Sequence, residues 1–361
     1  MYSMINDITF IMYYTIYPKR GGLHEQVYLL SREFRRMGIK VRLAYYIHEL
    51  LNGGKRLRIP LALSGLHPKL WSRISEPAII ETAWPGLASV PLTLGGKEHF
   101  FLHLHSIESL PYSGLPTYQR FTVKALELIA GSLCKKIISV SLEEYEILRK
   151  RFGAKVAYVP LAIDVEERER YIKMKDFCRE KIGIGKEKLV VTFVGGMRYG
   201  PNRESAMIIA RQIMPKVREK LGSKVLFMMV GSDPPPELRK LEGLMLTGYV
   251  NDVSPYIAAS DLCIAPVYKG GGVKMKVLDC MSLKKPVIAT NHAVKGTRLK
   301  PLKHYIPANS VDEFVDEILQ FASSMNRDEY EEISEEGYRY VVNHHSASSV
   351  AKKFLSVIEY G

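Results

Sequence analysis

The chain has 361 residues, of which 47% are hydrophobic and 25% charged, and its net charge is +13, so its length favours two domains and its composition is that of a globular protein. Its four cysteines show no CxxC pair and no metal-ligand spacing, which argues against a disulfide framework or a zinc site. No apolar run reaches the roughly 20 residues of a membrane helix, and the apolar N-terminal stretch has no basic leader, so we expect a cytoplasmic protein. The sequence has no nucleic-acid-binding motif, so we expect no nucleic-acid partner.

Apolar, strand-like runs alternate with amphipathic helical stretches along the chain, which predicts an α/β fold with parallel sheets. In the first half, a strand at Ile8–Tyr17 leads through Gly21-Gly22 into a helix at Leu23–Met37. Further strands are predicted at Val41–Tyr46, Ala78–Thr82, Phe100–His105, Lys136–Val140 and Val156–Val159, with helices at Val123–Cys134 and Leu142–Phe152. The basic stretch 47–75 predicts a loop with short helices.

The pattern restarts after a highly charged stretch at 166–188, which we interpret as a linker. The second half has predicted strands at Leu189–Val194, Val225–Val230, Met245–Thr247, Leu262–Val267 and Pro286–Ala289, with helices at Glu204–Leu221, Val253–Ala259, Val273–Leu283 and from Val311 onward. We therefore predict two doubly wound, Rossmann-like domains at 1–165 and 189–345, and a helical tail at 346–361. In such sheets ligands bind beyond the carboxyl ends of the strands, which predicts a site in a cleft between the domains.

The stretch from Asp261 to Thr290 has the pattern strand, glycine turn, helix, strand. Its candidate ligand-binding residues are, in order, Gly270, Gly271, Gly272, Val273, Lys274, Lys276 and Asp279. Unpaired N–H groups at a helix start and two lysines suit phosphate, and a carboxylate two turns later suits ribose or sugar hydroxyls. The pattern predicts a site for a diphosphate-bearing ligand such as a nucleotide-sugar, with Lys276 as the first choice for the diphosphate contact. A flexible turn followed by a solvated helix surface is the alternative.

Five segments, in chain order, resemble a GT-B glycosyltransferase of family 4: Gly21-Gly22 with the Met37–Val41 segment, IISVSLEEYEIL with VPLAIDVEE, FVGGMRYGPN, MLTGYVNDVSPYIAASDLCIAPV, and GGGVKMKVLDCMSLKKPVIAT. The resemblance implies transfer of a sugar from a nucleotide-sugar donor, with retention, without a metal and without a cofactor. It implies that backbone N–H groups and basic side chains stabilise the diphosphate leaving group. It also implies that the helix at 346–361 packs back on the first domain.

The chain departs from the family pattern at the donor loop. The family often has an arginine and a lysine where this chain has Gly196 and Pro201, so Arg198 between them is the candidate phosphate clamp, with Asn202 beside it. The first of the family's two glutamates falls on Gly271, and the second is the shorter Asp279. A surface position is the alternative for Arg198.

Candidate groups also lie in the first domain. Gly21 and Gly22 either let a donor phosphate or acceptor approach the first helix or form a plain turn. His103 and His105 alternate on one strand and share a face, and His105 is the candidate contact to donor or acceptor. Glu81, at the end of the third strand, is a candidate acceptor-side base, and a packed, hydrogen-bonded histidine is the alternative for His105.

The basic excess is densest between Arg32 and Arg73, with ten lysines and arginines against two glutamates. Such a surface suits an anionic membrane leaflet or an anionic acceptor, and a solvated face is the alternative. We therefore predict a glycosyltransferase, cytoplasmic or peripheral at the inner face of the membrane, with a glycan, glycolipid or lipid-linked acceptor. A non-catalytic sugar- or membrane-binding scaffold stays open, as does an NAD-dependent oxidoreductase or epimerase, although its G-x-G-x-x-G loop is missing.

Overall fold

The computed structural model describes residues 5–12, 22–45, 74–82, 84–110, 115–323 and 327–359. The chain divides into two compact units, one formed by Met1–Ala162 with Ala347–Gly361 and the other by Ile163–Ser346. Each unit contains a parallel six-stranded sheet with helices, which confirms the predicted α/β fold with two doubly wound halves. No helix among the described residues combines the length and the apolar character needed to cross a bilayer.

The sheet of the first unit has the strand order β2-β1-β3-β4-β5-β6. Its strands are β1 Asp7–Met12, β2 Lys40–Tyr45, β3 Ala78–Glu81, β4 Phe100–Leu104, β5 Lys136–Ser139 and β6 Val156–Tyr158, and its helices are α1 Gly22–Arg36, α2 Ser89–Leu94, α3 Thr117–Leu133 and α4 Leu142–Phe152. Neighbouring strand residues such as Ile79 and Ile80 enter different apolar clusters, so both faces of the sheet are covered. The C-terminal helix, Ala347–Glu359, packs on α1, where the rings of Phe354 and Phe34 meet edge to face.

The sheet of the second unit has the strand order β12-β11-β10-β7-β8-β9. Its strands are β7 Leu189–Val194, β8 Val225–Val230, β9 Leu244–Leu246, β10 Leu262–Ala265, β11 Val287–Ala289 and β12 Ile306–Pro307. Its helices are α5 Val165–Glu169, α6 Lys175–Ile182, α7 Gly200–Ile208, α8 Met214–Leu221, α9 Ser254–Ala259, α10 Met275–Met281, α11 Val311–Ser323 and α12 Arg327–His345. The strand order reverses between β7 and β10, and such a switch point is where open α/β sheets bind ligands.

The segment 166–188, expected as a linker, instead contains α5 and α6 and is part of the second unit. Its charged side chains have partners within that unit. Arg179 donates to Asp261 at 2.5 Å, Lys175 pairs with the same carboxylate, and the N–H of Val190 donates to it at 2.7 Å. The charge density therefore reflects an ion-pair network that joins α6 to the amino ends of β7 and β10, because Asp261 precedes β10 directly.

Some predicted features lie outside the described residues. These are the end of the first predicted strand, Gly21, and nearly all of the expected loop at 47–75. The helix expected to begin at Val123 begins at Thr117, six residues earlier. Its first turns carry exposed aromatic side chains, which hid the helical pattern from an interpretation based on a buried face.

Candidate functional site

The loops that follow β7 and β10 meet at the switch point of the second sheet. β7 and β10 are adjacent and parallel, and Leu262 pairs with Val191 in their register. The first loop leads through Gly195 and Gly196 into α7, and the second leads through the triple glycine into α10. These loops bring Asn202 of α7 and Lys276 of α10 into contact, although 74 residues separate them in the sequence.

Asn202 holds the ammonium group of Lys276 from one side. Lys276 Nζ donates to Asn202 Oδ1 at 2.5 Å, and Asn202 Nδ2 donates to the carbonyl oxygen of Gly196 at 2.9 Å. Because the Gly196 carbonyl accepts only, it fixes the amide with its oxygen toward the lysine. The ammonium also lies over the ring of Phe193, 4.4 Å from its centroid, a favourable cation–π position.

Among the described residues, Lys276 has no acidic ion-pair partner. Burial lowers the pKa of Lys276 to about 7, and repulsion from Lys274 acts in the same direction. Asp279 and Cys280 raise it, but by less. Among the residues that the structure describes, no carboxylate lies within ion-pair distance of this ammonium. A partly buried cation with only neutral partners is a suitable contact for an anionic ligand.

Gly195 keeps the space beside this pair open. A Cβ atom at Gly195 would lie 2.8 Å from Asn202 Nδ2 and 3.1 Å from Lys276 Nζ. Only glycine therefore leaves both polar groups in place. The sequence pointed to Gly196 and missed Gly195, although the signal was present, since a glycine pair directly follows a buried strand. We call Lys276, Asn202, Gly195 and Gly196 the Lys276 site.

Lys274 has partners within the glycine loop, and its predicted contact with the donor stays a prediction. Its Nζ donates to the carbonyl oxygens of Gly270, Gly271 and Gly272 at 2.8, 3.0 and 2.8 Å. His292 Nε2 lies 2.9 Å from the Gly270 oxygen as well. The glycines permit this fold, because Gly270 and Gly272 have φ of 105° and 66°. Lys274 therefore braces the glycine loop from within.

The helix after this loop begins later than predicted. Lys274 is extended, with ψ of 91°, so α10 starts at Met275 and not at Val273, and its seven residues end at Met281. Val273 belongs to the loop and is partly buried. The diphosphate contact predicted for this region is therefore supported by the Lys276 side chain more than by the helix terminus.

Asp279 is occupied by a partner that the sequence did not suggest. Arg168 of α5 donates to Asp279 Oδ1 at 2.7 Å and to Ser282 Oγ at 3.0 Å. Both charged side chains are buried. This pairing joins α5 to α10, and the predicted contact of Asp279 with ribose stays a prediction. Arg168 was missed because it lies in the segment interpreted as a linker.

Arg198 lies in the loop between β7 and α7, and its side chain makes no hydrogen bond with the residues of the Lys276 site. Its side chain is exposed, and it makes no hydrogen bond or ion pair with any residue in the described part of the chain. Its role as a phosphate clamp stays a prediction. In the first unit, Gly22 is the first residue of α1. The prediction that it lets a ligand approach this helix likewise stays a prediction.

A second polar centre lies at the carboxyl ends of β3 and β4, and we call Glu81, His103 and His105 the Glu81 cluster. Glu81 pairs with His103 in the register of the two strands. His103 Nδ1 lies 3.0 Å from Glu81 Oε1, and His105 Nε2 lies 2.8 Å from Oε2. The side chain of Glu81 is 0% exposed and that of His105 is 15% exposed.

The burial of Glu81 does not favour the predicted role of an acceptor-side base, which stays a prediction. Burial alone would raise its pKa, but the charge and hydrogen bonds of His103, together with His105, lower the pKa to about 2. The pKa of His105 is lowered from 6.5 by burial and by His103. At neutral pH Glu81 is an anion that accepts the Nε2 proton of a neutral His105, which leaves His105 Nδ1 as an acceptor.

The Glu81 cluster is also a possible set of metal ligands. Its one oxygen and two nitrogens all lie within 4.8 Å of one another, and zinc accepts carboxylate and imidazole ligands. Each imidazole, however, already bonds to its own carboxylate oxygen, so the three side chains satisfy one another as hydrogen-bond partners. The prediction of a protein without a metal stays a prediction.

A cavity of about 350 Å³ in the second unit lies away from these residues. It is lined by Lys175, Arg179 and Asp261 and by Leu189 at the start of β7. These residues mark the amino ends of the strands, the edge opposite the Lys276 site. We assign this cavity no part in the ligand site.

Comparison with known proteins first identifies the class of fold. Residues 188–324, which contain the Lys276 site, match the family model described as Glycosyl transferases group 1. Anabaena HepE, solved in complex with UDP and glucose, is similar with a TM-score of 0.71 and 12% identity over 97% of this chain and 98% of that one. WaaG, a glycosyltransferase involved in lipopolysaccharide biosynthesis, is similar with a TM-score of 0.71 and 16% identity over 98% of this chain and 100% of that one. The chain has the GT-B fold.

A curated relative adds a sequence match. The UDP-Gal:α-D-GlcNAc-diphosphoundecaprenol α-1,3-galactosyltransferase of Escherichia coli is 22% identical over 217 residues, which cover 56% of this chain and 54% of the relative. The chain thus matches about half the length of this relative. Together with the family model, the match confirms the predicted resemblance to a GT-B glycosyltransferase, whereas the assignment to family 4 stays a prediction.

Proposed function

We propose that this chain is a glycosyltransferase that moves a sugar from a nucleotide-sugar donor to a glycan, glycolipid or lipid-linked acceptor, with retention and without a metal. The observation that carries the proposal is the Lys276 site. An ammonium group with no acidic partner among the described residues lies at the switch point of a doubly wound sheet. It also lies inside the segment that matches the group 1 family model.

The chemistry of transfer explains why such a cation is needed. The bond between the anomeric carbon and the diphosphate oxygen breaks, and negative charge builds on the departing nucleoside diphosphate. The acceptor oxygen forms the new bond to that carbon, and its proton passes to an oxygen of the leaving diphosphate. Lys276 is placed to stabilise the developing charge, and Asn202 holds it in position before the reaction, so little reorganisation is required.

The Glu81 cluster gives the first unit a fixed polar group. Glu81 orients His105, whose Nδ1 accepts a hydrogen bond from a hydroxyl group of the donor sugar or the acceptor. Glu81 itself acts as a positioning residue because it is fully buried. This assignment keeps His105 in the predicted site and moves Glu81 from the base to the support of the histidine.

The relatives suggest which substrates to test first. HepE was solved with UDP, and the name of the Escherichia coli relative gives a uridine diphosphate sugar as donor and a diphosphoundecaprenol-linked sugar as acceptor. Uridine diphosphate sugars and a polyprenyl-diphosphate acceptor are therefore the first candidates for this chain.

The test begins with binding. UDP, GDP and ADP are screened by thermal shift, and the matching sugar nucleotides are then assayed for transfer and hydrolysis. Lys276→Met removes the cation, and exposed Lys240→Met in the same unit is the matched control. We expect Lys276→Met to lower turnover by about 10²–10³-fold, the effect of losing one well-placed electrostatic donor. Lys240→Met should behave like the wild type.

Two results would contradict the proposal in different ways. If no nucleotide or sugar nucleotide binds saturably, the donor site is absent. If donors bind but wild type and Lys276→Met both turn over at background rates, the non-catalytic scaffold is the better description. That second description has its own support, because Gly196, Pro201 and Gly271 stand where charged residues are typical of the resembling family.

A further inference from the structure

The long helix α3 of the first unit is apolar on two opposite faces. Its inner face, with Val123, Leu126 and Ala130, is buried against the sheet. Its outer face carries exposed residues spaced three and four apart: Tyr118, Phe121, Ala125, Leu128, Ile129 and Leu133. This spacing places all of them on one side of the helix. We call these six residues the outer face of α3.

The side chains on the outer face of α3 are exposed over a length that suits an interaction surface. Tyr118 and Phe121 are each 70% exposed, and Leu94, at the end of the neighbouring helix α2, is 83% exposed. From Tyr118 to Leu133 the face is about 22 Å long, at 1.5 Å per residue. Single exposed apolar residues are ordinary, whereas a continuous stripe of them marks an interaction surface.

The charges that α3 and the residues directly after it expose are all positive. The exposed or partly exposed charged residues between Thr117 and Lys136 are Arg120, Lys124, Lys135 and Lys136. The one acid in this stretch, Glu127, is buried, and it accepts hydrogen bonds from the backbone and the hydroxyl group of Ser109. Beyond the helix, Lys155 donates to the carbonyl oxygens of Ser132 and Cys134 and adds positive charge at that end.

We propose that the outer face of α3 docks on an anionic bilayer, with its aromatic and aliphatic side chains at the acyl boundary and its lysines against the headgroups. An apolar stripe flanked by basic residues is the pattern of helices that lie in a membrane interface. A second copy fits less well, because pairing this face with itself would bring like charges together. The same chemistry argues against nucleic acid, which does not require an exposed aliphatic stripe.

This surface differs from the one the sequence predicted. The expected membrane contact was the basic region 32–73, most of which lies outside the described residues. Within its described part, Arg42 pairs with Asp7, and Arg32 and Arg36 bond to Glu33. The α3 surface combines charge with apolar area, which the basic stretch alone does not. The proposal concerns attachment and does not depend on sugar transfer, although an attached enzyme suits a lipid-linked acceptor.

The test is co-flotation of the full chain with vesicles of phosphatidylcholine alone or with phosphatidylglycerol added. The double variant Tyr118→Gln with Phe121→Gln removes the aromatic anchors, and Phe177→Gln, at a 50% exposed position on α6 of the second unit, is the matched control. We expect the wild type and Phe177→Gln to float with the anionic vesicles. The double variant should bind at least about tenfold more weakly, the scale of losing buried aromatic area. At low salt Lys124→Gln should bind about fivefold more weakly than the wild type, and at high salt this difference should disappear.

Circular dichroism and nucleoside diphosphate binding are measured on every variant, so a folding failure or a failed donor site is separated from a failed membrane contact. The proposal is overturned if the wild type does not float with anionic vesicles, or if the double variant floats equally well. It is also overturned, in favour of a second copy, if the wild type is a dimer that the double variant converts to a monomer while neither binds vesicles.

Discussion

The buried charges of the two units have opposite kinds of partner. In the first unit each carboxylate oxygen of Glu81 faces an imidazole, and its pKa is lowered to about 2 despite burial. In the second unit Lys276 faces a neutral amide and an aromatic ring, and burial lowers its pKa to about 7. A buried charge whose partners are present already stabilises its surroundings, while one without a counter-charge is stabilised when an opposite charge binds. The contrast separates a structural framework from the proposed ligand site.

Removing each charge should therefore have a different effect on stability. We expect Glu81→Gln to lower the free energy of unfolding by about 3 kcal/mol, because it leaves a buried, hydrogen-bonded network with an unmatched partner. Lys276→Met should not lower it at pH 7, since it removes a cation that has no acidic partner in the described part of the chain. Urea unfolding measures both, with exposed Glu98→Gln as the control, which should change by less than about 0.5 kcal/mol.

The pH dependence of this effect has a definite sign. The pKa of Glu81 is lower in the folded state than the ordinary 4.5, so its stabilisation is present above pH 4.5 and is lost as the pH falls toward 2. The difference between wild type and Glu81→Gln should shrink over that interval. A Glu81→Gln variant as stable as the wild type at pH 7 would mean that the cluster is not a framework.

The Glu81 cluster also shows where sequence reasoning stops. The alternation in FFLHLHS placed His103 and His105 on one face, because strand side chains repeat every two residues. It did not show that β3 lies beside β4 with Glu81 opposite His103, since strand pairing is a tertiary property. Local pattern therefore suggested that Glu81 is an acceptor-side base, and the burial of its side chain is the reason for proposing that it positions His105 instead.

The second unit shows the same limit at the Lys276 site. Local pattern identified the glycine triplet and made Lys276 the first choice for the diphosphate contact. The alternation of strands and helices predicted the parallel sheets. The roles of Lys274 and Asp279 did not, because one folds back onto the preceding carbonyls and the other meets Arg168 across 111 residues. Local spacing predicts which side of an element a residue faces, but not which other residue it pairs with in the fold.

Filling the space beside Lys276 should weaken ligand binding. Gly195→Ala would place a Cβ atom 2.8 Å from Asn202 Nδ2 and displace the amide that orients the lysine. We expect nucleoside diphosphate affinity to fall by at least about tenfold, as a polar contact of about 1–2 kcal/mol is lost. Isothermal titration calorimetry measures this loss directly.

Gly183→Ala is the matched control for backbone strain. Gly183 has φ of 78°, and no atom lies within 4 Å of the point that an added Cβ would occupy, so alanine there is strained without filling any site. Both variants should lose stability, by about 1–2 kcal/mol, but only Gly195→Ala should lose affinity. Equal affinities for the two variants would remove Gly195 from the site.

Ligand binding at Lys276 should depend on pH. Its pKa of about 7 in the free protein rises when a diphosphate binds, because the anion favours the charged ammonium. Affinity should therefore fall as the pH rises above 7, by up to about tenfold per pH unit for one linked proton. Calorimetry in buffers with different ionisation enthalpies should show proton uptake on binding at pH 8. In Lys276→Met both the uptake and this part of the pH dependence should vanish, and their persistence would assign them to another group.

The smallest expected effect distinguishes bracing from direct contact. Lys274→Met removes the ammonium that holds three glycine carbonyls, so the loop should loosen and affinity should fall by a few-fold, about 1 kcal/mol. Because Lys274 is directed into the loop, the dependence of affinity on salt should stay that of the wild type, whereas Lys276→Met should reduce it. Exposed Lys269→Met, whose partner is Glu204, is the control for loss of a nearby surface charge. If Lys274→Met flattens the salt dependence as much as Lys276→Met does, Lys274 contacts the phosphate itself, and the second unit then has two ligand-binding cations in place of one cation and its brace.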